Sequence, residues 1–341
     1  MMMNKSGIDW CDFTWNPVTG CTRGCQYCYA AKQARRFCGD VRLNLTSPQI
    51  TDVGGRSYVL EQPFMSEHNT TIPFPAGFRP TFHRYRLSMP AEKKKPASIF
   101  VCSMGDLFRR DVPTRWIVEV FDACLAAPQH NYLFLTKFPE RYMELDELAL
   151  LPHESNFWYG TTVTRQRELE RISYLPLSAH RFVSLEPLLE DIGLDLAPKL
   201  NPSGPACAIP LVEWVIVGAE TGNQQSKQKP RREWLTAILD QTHKNHIPIL
   251  LKDSRELRAI WGNSIPQAFP AGLEPMPQDN SIPHCKECEH REETHQGRRG
   301  TAIACQIGWE ADGYHDRPAR PVPGRYTRSS PPWCPRRGEK E

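Results

Sequence analysis

The run Gly20-Cys21-Thr22-Arg23-Gly24-Cys25-Gln26-Tyr27-Cys28-Tyr29-Ala30 puts three cysteines in one short loop, spaced Cys-x3-Cys-x2-Cys, with an aromatic residue before the last. No fourth cysteine or histidine follows closely, so the loop alone is an incomplete ligand set. An iron–sulfur cube has four iron corners and takes cysteine thiolates as its usual ligands. Three thiolates leave one iron open to a ligand that is not protein, the arrangement of a reactive cluster rather than a structural one. Two plainer readings stand beside it. Structural zinc takes four tetrahedral ligands, and Cys11 or Cys38 could supply the fourth. Buried free thiols are ordinary small core residues. Gly20 and Gly24 are expected to let backbone N–H groups approach the sulfides and tune the potential.

Outward from the loop, short apolar runs alternate with amphipathic stretches. Strands are expected at 98–103, 132–137, 157–163, 181–186, 214–220 and 247–252, with a first strand inside Phe13–Val18, just before the cysteines. Runs that are apolar on both faces suit buried parallel strands. Helices are expected at 113–127, opened by Pro113, with Trp116, Val120, Phe121 and Cys124 on one face. Others are expected at 139–149, at 164–175 with Thr164 as N-cap, and at 231–245. Alternation of strand and helix argues for a parallel β/α fold. The Pro-, Thr- and Gly-rich stretch 39–97 reads as an irregular insertion.

The loop and its flanks, DWCDFTWNPVTGC before and YAAKQARRF after, resemble the signature of the radical S-adenosylmethionine (radical SAM) superfamily. More narrowly they resemble an uncharacterised, often phage-encoded three-cysteine family, along with SIFVCSMGDLF, NYLFLTKFPER, RFVSLEPLLE and WVIVGAETG. The resemblance implies a partial or near-complete parallel (β/α) barrel over residues 1–262. It implies a [4Fe-4S] cluster on Cys21, Cys25 and Cys28, with S-adenosylmethionine (SAM) on the open iron and Tyr27 packed over the cluster. It further implies an external electron donor of the flavodoxin or ferredoxin kind. Barrel chemistry sits at the C-terminal ends of the strands. There Met104-Gly105-Asp106 occupies the place of the family's Gly-Gly-Glu-like motif, which points to Asp106 for the SAM amino group. Thr161 and Thr162 are candidates for the ribose, and Glu186 and Glu220 for further cofactor contacts. Strand-end Ser, Thr and Asp also cap helices routinely.

Residues 263–341 read as a loop-rich extension, opened by a linker containing Pro266, Pro270, Pro275 and Pro277. Cys285, Cys288, Cys305 and Cys334 could clip it together around zinc or an auxiliary [4Fe-4S] cluster. At 341 residues, 40% hydrophobic and 24% charged, the chain has the composition of a soluble globular protein. No run approaches the ~20 apolar residues of a membrane span, and the first ten residues show no apolar signal region. Twelve cysteines without an export signal point to metal and a reducing cytoplasm. The net charge of +3 says little about partners. The run Arg79, Phe82, His83, Arg84, Tyr85, Arg86 and Lys93–Lys95 interleaves cations with aromatics, which suits a nucleotide or nucleic-acid substrate. The rival reading is a non-catalytic, metal-stabilised nucleic-acid-binding protein.

Overall fold

A computed structural model describes residues 3–197, 211–221 and 228–274 in full, and the backbone alone of 199–200, 208–209, 291–295, 301–305 and 320–321. The chain divides into two units, Met1–Met276 and Pro277–Glu341. The first is built on one eight-stranded sheet: β1 (Asn4–Lys5), β2 (Phe13–Trp15), β3 (Ser98–Val101), β4 (Asn131–Thr136), β5 (Phe157–Thr162), β6 (His180–Leu185), β7 (Trp214–Val217) and β8 (Ile249–Leu251). Sheet order follows chain order, and all neighbours are parallel except β1 and β2. Each connection therefore steps one strand in the same direction, and right-handed crossovers then stack the connecting helices on one face. Among the described residues β1 and β8 do not pair, so the sheet is an open winding and not a closed barrel.

Alternation along the strands sorts the side chains cleanly. Ile99, Val101, Tyr132, Phe134, Phe157, Tyr159, Val183, Leu185, Val215 and Val217 belong to the large core under the helices. Phe100, Leu133, Trp158, Phe182, Trp214, Ile216 and Leu250 form a second core on the inner face. That face is plugged by Trp10 and Cys11 from the N-terminal segment and by Leu273, with the Trp10 and Phe100 rings 4.5 Å apart. Burial of both faces is why these strands carry unbroken apolar runs.

The helices are α1 (Tyr29–Arg36), α2 (Thr114–Leu125), α3 (Glu140–Glu147), α4 (Arg232–Lys244) and α5 (Arg255–Trp261), of which α2 to α5 bury side chains in the large core on the outer face. Pro113 and Pro139 stand at the N-caps of α2 and α3. α2 buries Trp116, Ile117, Val120, Phe121 and Cys124. The helix expected at 164–175 is wound as 3-10 turns over Gln166–Tyr174. Thr164 does not cap it; instead its own N–H and hydroxyl donate to Glu168, both at 2.8 Å.

The structure adds detail to two sequence expectations. The stretch 39–97 is not wholly irregular. Thr51–Asp52, Tyr58–Leu60 and Thr81–His83 join Val18–Thr19 in a four-stranded sheet, over a small core of Ile50, Tyr58, Leu60, Phe64 and Ala76. Nor does the core end at residue 262. Leu251 N donates to Pro266 O (2.8 Å) and Ala268 N to Ile249 O (2.9 Å), so this segment lines the outer edge of β8, and the units divide after Met276. In the second unit Arg291–His295, Thr301–Cys305 and Arg320–Pro321 form a three-stranded antiparallel sheet. Cys285, Cys288 and Cys334 lie outside the described residues. Cys305 ends the middle strand, and its side chain is likewise outside them.

Candidate functional site

The cysteine loop leaves Val18–Thr19 and crosses the C-terminal ends of the parallel strands. Each thiol meets a different part of that mouth. Cys21 lies beside Asp106 and Arg109, beyond the end of β3. Burial pushes its thiol up to about 12; the Asp106 charge adds to the rise, while a backbone hydrogen bond at Arg23 opposes it. Cys25 and Thr164, the latter beyond β5, both lie beside the Tyr27 hydroxyl. Burial first, and then the neighbouring Cys25, push the Tyr27 phenol up. Cys28 is the N-cap of α1, and its Sγ accepts from Ala31 N at 3.4 Å. A helix N-terminus offers partial positive charge to a thiolate.

The residues between the first two cysteines are tethered individually. Thr22 Oγ1 donates to Asp111 Oδ2 at 2.6 Å, and Asp111 pairs with Arg109 at 2.8 Å. The Arg23 and Arg109 guanidinium groups both lie over the Phe138 ring, at 5.2 and 4.8 Å. Arg23 also pairs with Glu168 at 3.4 Å. Gly24 adopts φ +75 with open space where a Cβ would go. Gly20 differs. A Cβ there would lie 2.1 Å from Arg79 O, and its N–H donates to Met104 O at 2.9 Å. The expectation that Gly20 aims an N–H at a sulfide is therefore corrected: its lack of a side chain lets two backbones meet.

On the inner face at the same mouth, Lys252 Nζ donates to Glu186 Oε1 at 2.6 Å, with the two side chains 23% and 29% exposed. Gly218 lies beneath, where a Cβ would come 2.7 Å from Glu186 Cγ. Tyr29 donates to Ser103 O at 2.7 Å. Half of the Tyr29 surface is exposed, but its hydroxyl end is desolvated; that, followed by the Glu186 carboxylate and by Cys28 and Cys11 beyond it, pushes the phenol up.

The other expected site residues divide by orientation. Asp106 is buried, and its oxygens are engaged within the protein. Oδ1 accepts from Thr136 Oγ1 (2.6 Å) and Phe108 N (3.3 Å), and Oδ2 accepts from Lys137 N (3.1 Å). Desolvation still raises its pKa. Thr161 faces the helix side and donates to Thr136 O at 3.1 Å, whereas the alternation of β5 puts Thr162 on the inner face. Glu220 is buried, and its Oε2 accepts from Gln228 N at 3.3 Å.

The spare cysteines stay apart from the three. Cys38 lies past the far end of α1, its Sγ donating to Arg35 O at 3.3 Å, and an eight-residue helix spans about 12 Å. Cys11 donates to Ser6 Oγ at 3.1 Å inside the sheet. Among the described residues, no three His, Cys, Asp or Glu side chains converge where one ion would sit.

A family described as "Protein of unknown function (DUF5131)" matches residues 5–300. The chain belongs to the DUF5131 family. No curated protein matches it. Among solved structures, this DUF5131 chain is similar to spore photoproduct lyase complexed with dinucleoside spore photoproduct, at TM-score 0.38 and 9% identity, covering 92% of this chain and 74% of that one. A double mutant of the lyase with bound AdoMet and the same photoproduct gives TM-score 0.37 and 9% identity, over the same shares of the two chains.

The basic run of the DUF5131 chain is largely built into the fold. Phe82 and His83 are fully buried. Arg84 pairs with Glu61 and Glu119, at 2.5 and 2.9 Å. Arg86 donates to Asn16 O (2.8 Å), and Lys93 lies 4.2 Å over the Phe13 ring. Sequence reasoning missed Arg23, Asp111 and Glu168. The only signal was that a charged residue sits between the first two cysteines. No described helix is long and apolar enough to cross a membrane.

Proposed function

We propose that this chain is a radical SAM enzyme in which Cys21, Cys25 and Cys28 hold a [4Fe-4S] cluster with one iron open to SAM. The observation that supports it is the place of the three thiols: they lie at the mouth of a sequentially wound parallel sheet, while Cys38 stands past the far end of α1 and Cys11 is engaged by Ser6. The donor set fits the group. Thiolates suit iron–sulfur clusters, and thiolates on three corners of a cube stand further apart than three on one ion. When bound, the cluster with SAM supplies reductive cleavage to a 5′-deoxyadenosyl radical for hydrogen abstraction, chemistry that belongs to the cofactor.

The chain's own residues orient and enclose. The first turn of α1 fixes the Cys28 sulfur, through Ala31 N at 3.4 Å. Tyr27 covers Cys25. Glu186 and Lys252 present opposite charges on the inner face, which suits the zwitterionic end of SAM, and Thr162 is on the same face within the sheet. Asp106 acts by tying the ends of β3 and β4 beneath Cys21 rather than by reaching a ligand. Trp10 and the inner-face aromatics close the floor and exclude water. The extension's Cys285, Cys288, Cys305 and Cys334 would take zinc or an auxiliary cluster.

The test is purification without oxygen, assay of iron and sulfide, reduction, and detection of 5′-deoxyadenosine formed from SAM. About four irons per chain or more, with SAM cleavage abolished by Cys25→Ala, is the expected result. Zinc alone, with no SAM turnover after iron–sulfur reconstitution, would sink the proposal.

A further inference from the structure

We infer that Glu168 is the positioning residue for Cys25, holding the loop on both sides of that cysteine. This rests on the reading of the loop as a cluster site. Glu168 lies in the 3-10 turns after β5, with a side chain only 11% exposed. Its Oε1 pairs with Arg171 at 2.9 Å and with Arg23 at 3.4 Å. Its Oε2 accepts from both the N–H and the hydroxyl of Thr164 at 2.8 Å. Thr164 in turn lies beside the Tyr27 hydroxyl. Arg23 stands two residues before Cys25 and Tyr27 two residues after it, so one carboxylate pairs with the first flank and, through Thr164, backs the second.

Cys25 needs this support more than its neighbours do. Cys21 is held by its own backbone, through Cys21 N to Phe78 O at 3.0 Å. Cys28 is fixed as the cap of α1. Cys25 follows Gly24, whose surroundings are open; its backbone tie, Cys28 N to Cys25 O at 3.1 Å, stays within the loop, and its anchors to the rest of the protein are side chains. Arg23 has further anchors in Lys137 O at 3.5 Å and the Phe138 ring, and Glu168 joins it to Thr164 on the Tyr27 side. Partners one step behind a metal ligand typically matter by about 10–100-fold in affinity.

The experiment measures iron release to a chelator from the reconstituted full chain, alongside the melting temperature of the metal-free protein. Glu168→Ala, Arg23→Met and the double variant are compared. Release is expected to quicken about tenfold or more in each single variant, with the double variant no faster than Glu168→Ala and the reduced cluster's EPR signal altered in all three. Arg23→Met keeps the 3-10 turns intact, so it reads the tether even if Glu168→Ala lowers the melting temperature. Unchanged release and an unchanged signal in Arg23→Met and Glu168→Ala would overturn the inference, as would strictly multiplicative effects in the double variant. A wild-type chain that takes up no iron and sulfide would instead overturn the cluster reading itself.

Discussion

Gly20→Ala and Gly24→Ala form a matched pair of perturbations within one loop. Both glycines have positive φ, +90 and +75, and a side chain in that region costs about 1 kcal/mol. For Gly24 that is the whole effect, because nothing lies within 4 Å of the added Cβ. At Gly20 the Cβ would stand 2.1 Å from Arg79 O and 2.4 Å from Arg79 C. These are backbone atoms, so one chain must retreat by about 1 Å or more to reach ordinary contact. Retreat stretches Gly20 N to Met104 O (2.9 Å) and Cys21 N to Phe78 O (3.0 Å), each worth about 1 kcal/mol. The sum is about 3 kcal/mol for Gly20→Ala against about 1 kcal/mol for Gly24→Ala. At roughly 2–4 °C per kcal/mol, the metal-free chain should melt about 6–12 °C lower for the first and about 2–4 °C lower for the second. Thermal unfolding followed by near-ultraviolet circular dichroism gives both numbers. Equal losses, or a larger loss at Gly24, would refute the assignment of Gly20 to backbone packing.

Three further outcomes are expected. His83 is fully buried between Thr19 and Tyr85, and burial followed by the Arg86 charge holds its pKa well below 6.5. Its contribution is therefore full above 6.5 and is lost as pH falls toward the depressed folded value. Unfolding free energy should drop by up to about 1.4 kcal/mol per pH unit below 6.5, and His83→Gln should remove that slope in pH-dependent denaturant melts; an unchanged slope would refute it. Gly160→Ala would put a Cβ 2.4 Å from the buried Phe182 ring, costing about 1–3 kcal/mol; urea unfolding should show Phe182→Leu relieving part of this, and fully additive losses would count against the contact. Glu186→Gln and Lys252→Met should couple by about 0.5–1 kcal/mol in a double-mutant cycle, and zero coupling would mean that the two side chains do not pair in solution.

The parallel strands were legible because the physics behind them is local in sequence: two buried faces require a run of apolar residues, and β3 to β8 supply it. The starts of α2 and α3 were legible for the same reason, in Pro113 and Pro139. The sheet inside 39–97 was not. Its strands are two or three residues long and exist through pairing with each other and with Val18–Thr19, which no periodicity announces. The three cysteines and the strand-end carboxylates could be named from spacing and position, but their partners could not. Asp106 could be named by its place after β3, yet whether its oxygens face outward or toward Thr136 and Lys137 depends on the end of β4, 30 residues away. Glu168 reads in sequence as a solvated helix residue, because its value comes from Arg23 across the mouth.

The apparent insertion is therefore part of the site. A loop that must present three thiols to a ligand gains affinity when its ordering is done in advance, and this loop is braced from two directions. On one side, the segments after β3 and β5 hold Thr22 and Arg23 through Asp111 and Glu168. On the other, the small sheet fixes the entry to Cys21: Thr19 pairs with Thr81, Cys21 N bonds Phe78 O, and the Arg79 carbonyl occupies the space left by Gly20. Neither brace touches a thiol directly, and each is made from residues far from the cysteines in sequence. Residues 39–97 thus do for the first cysteine what Glu168 does for the second, and shortening that segment should loosen Cys21 before it affects the parallel sheet.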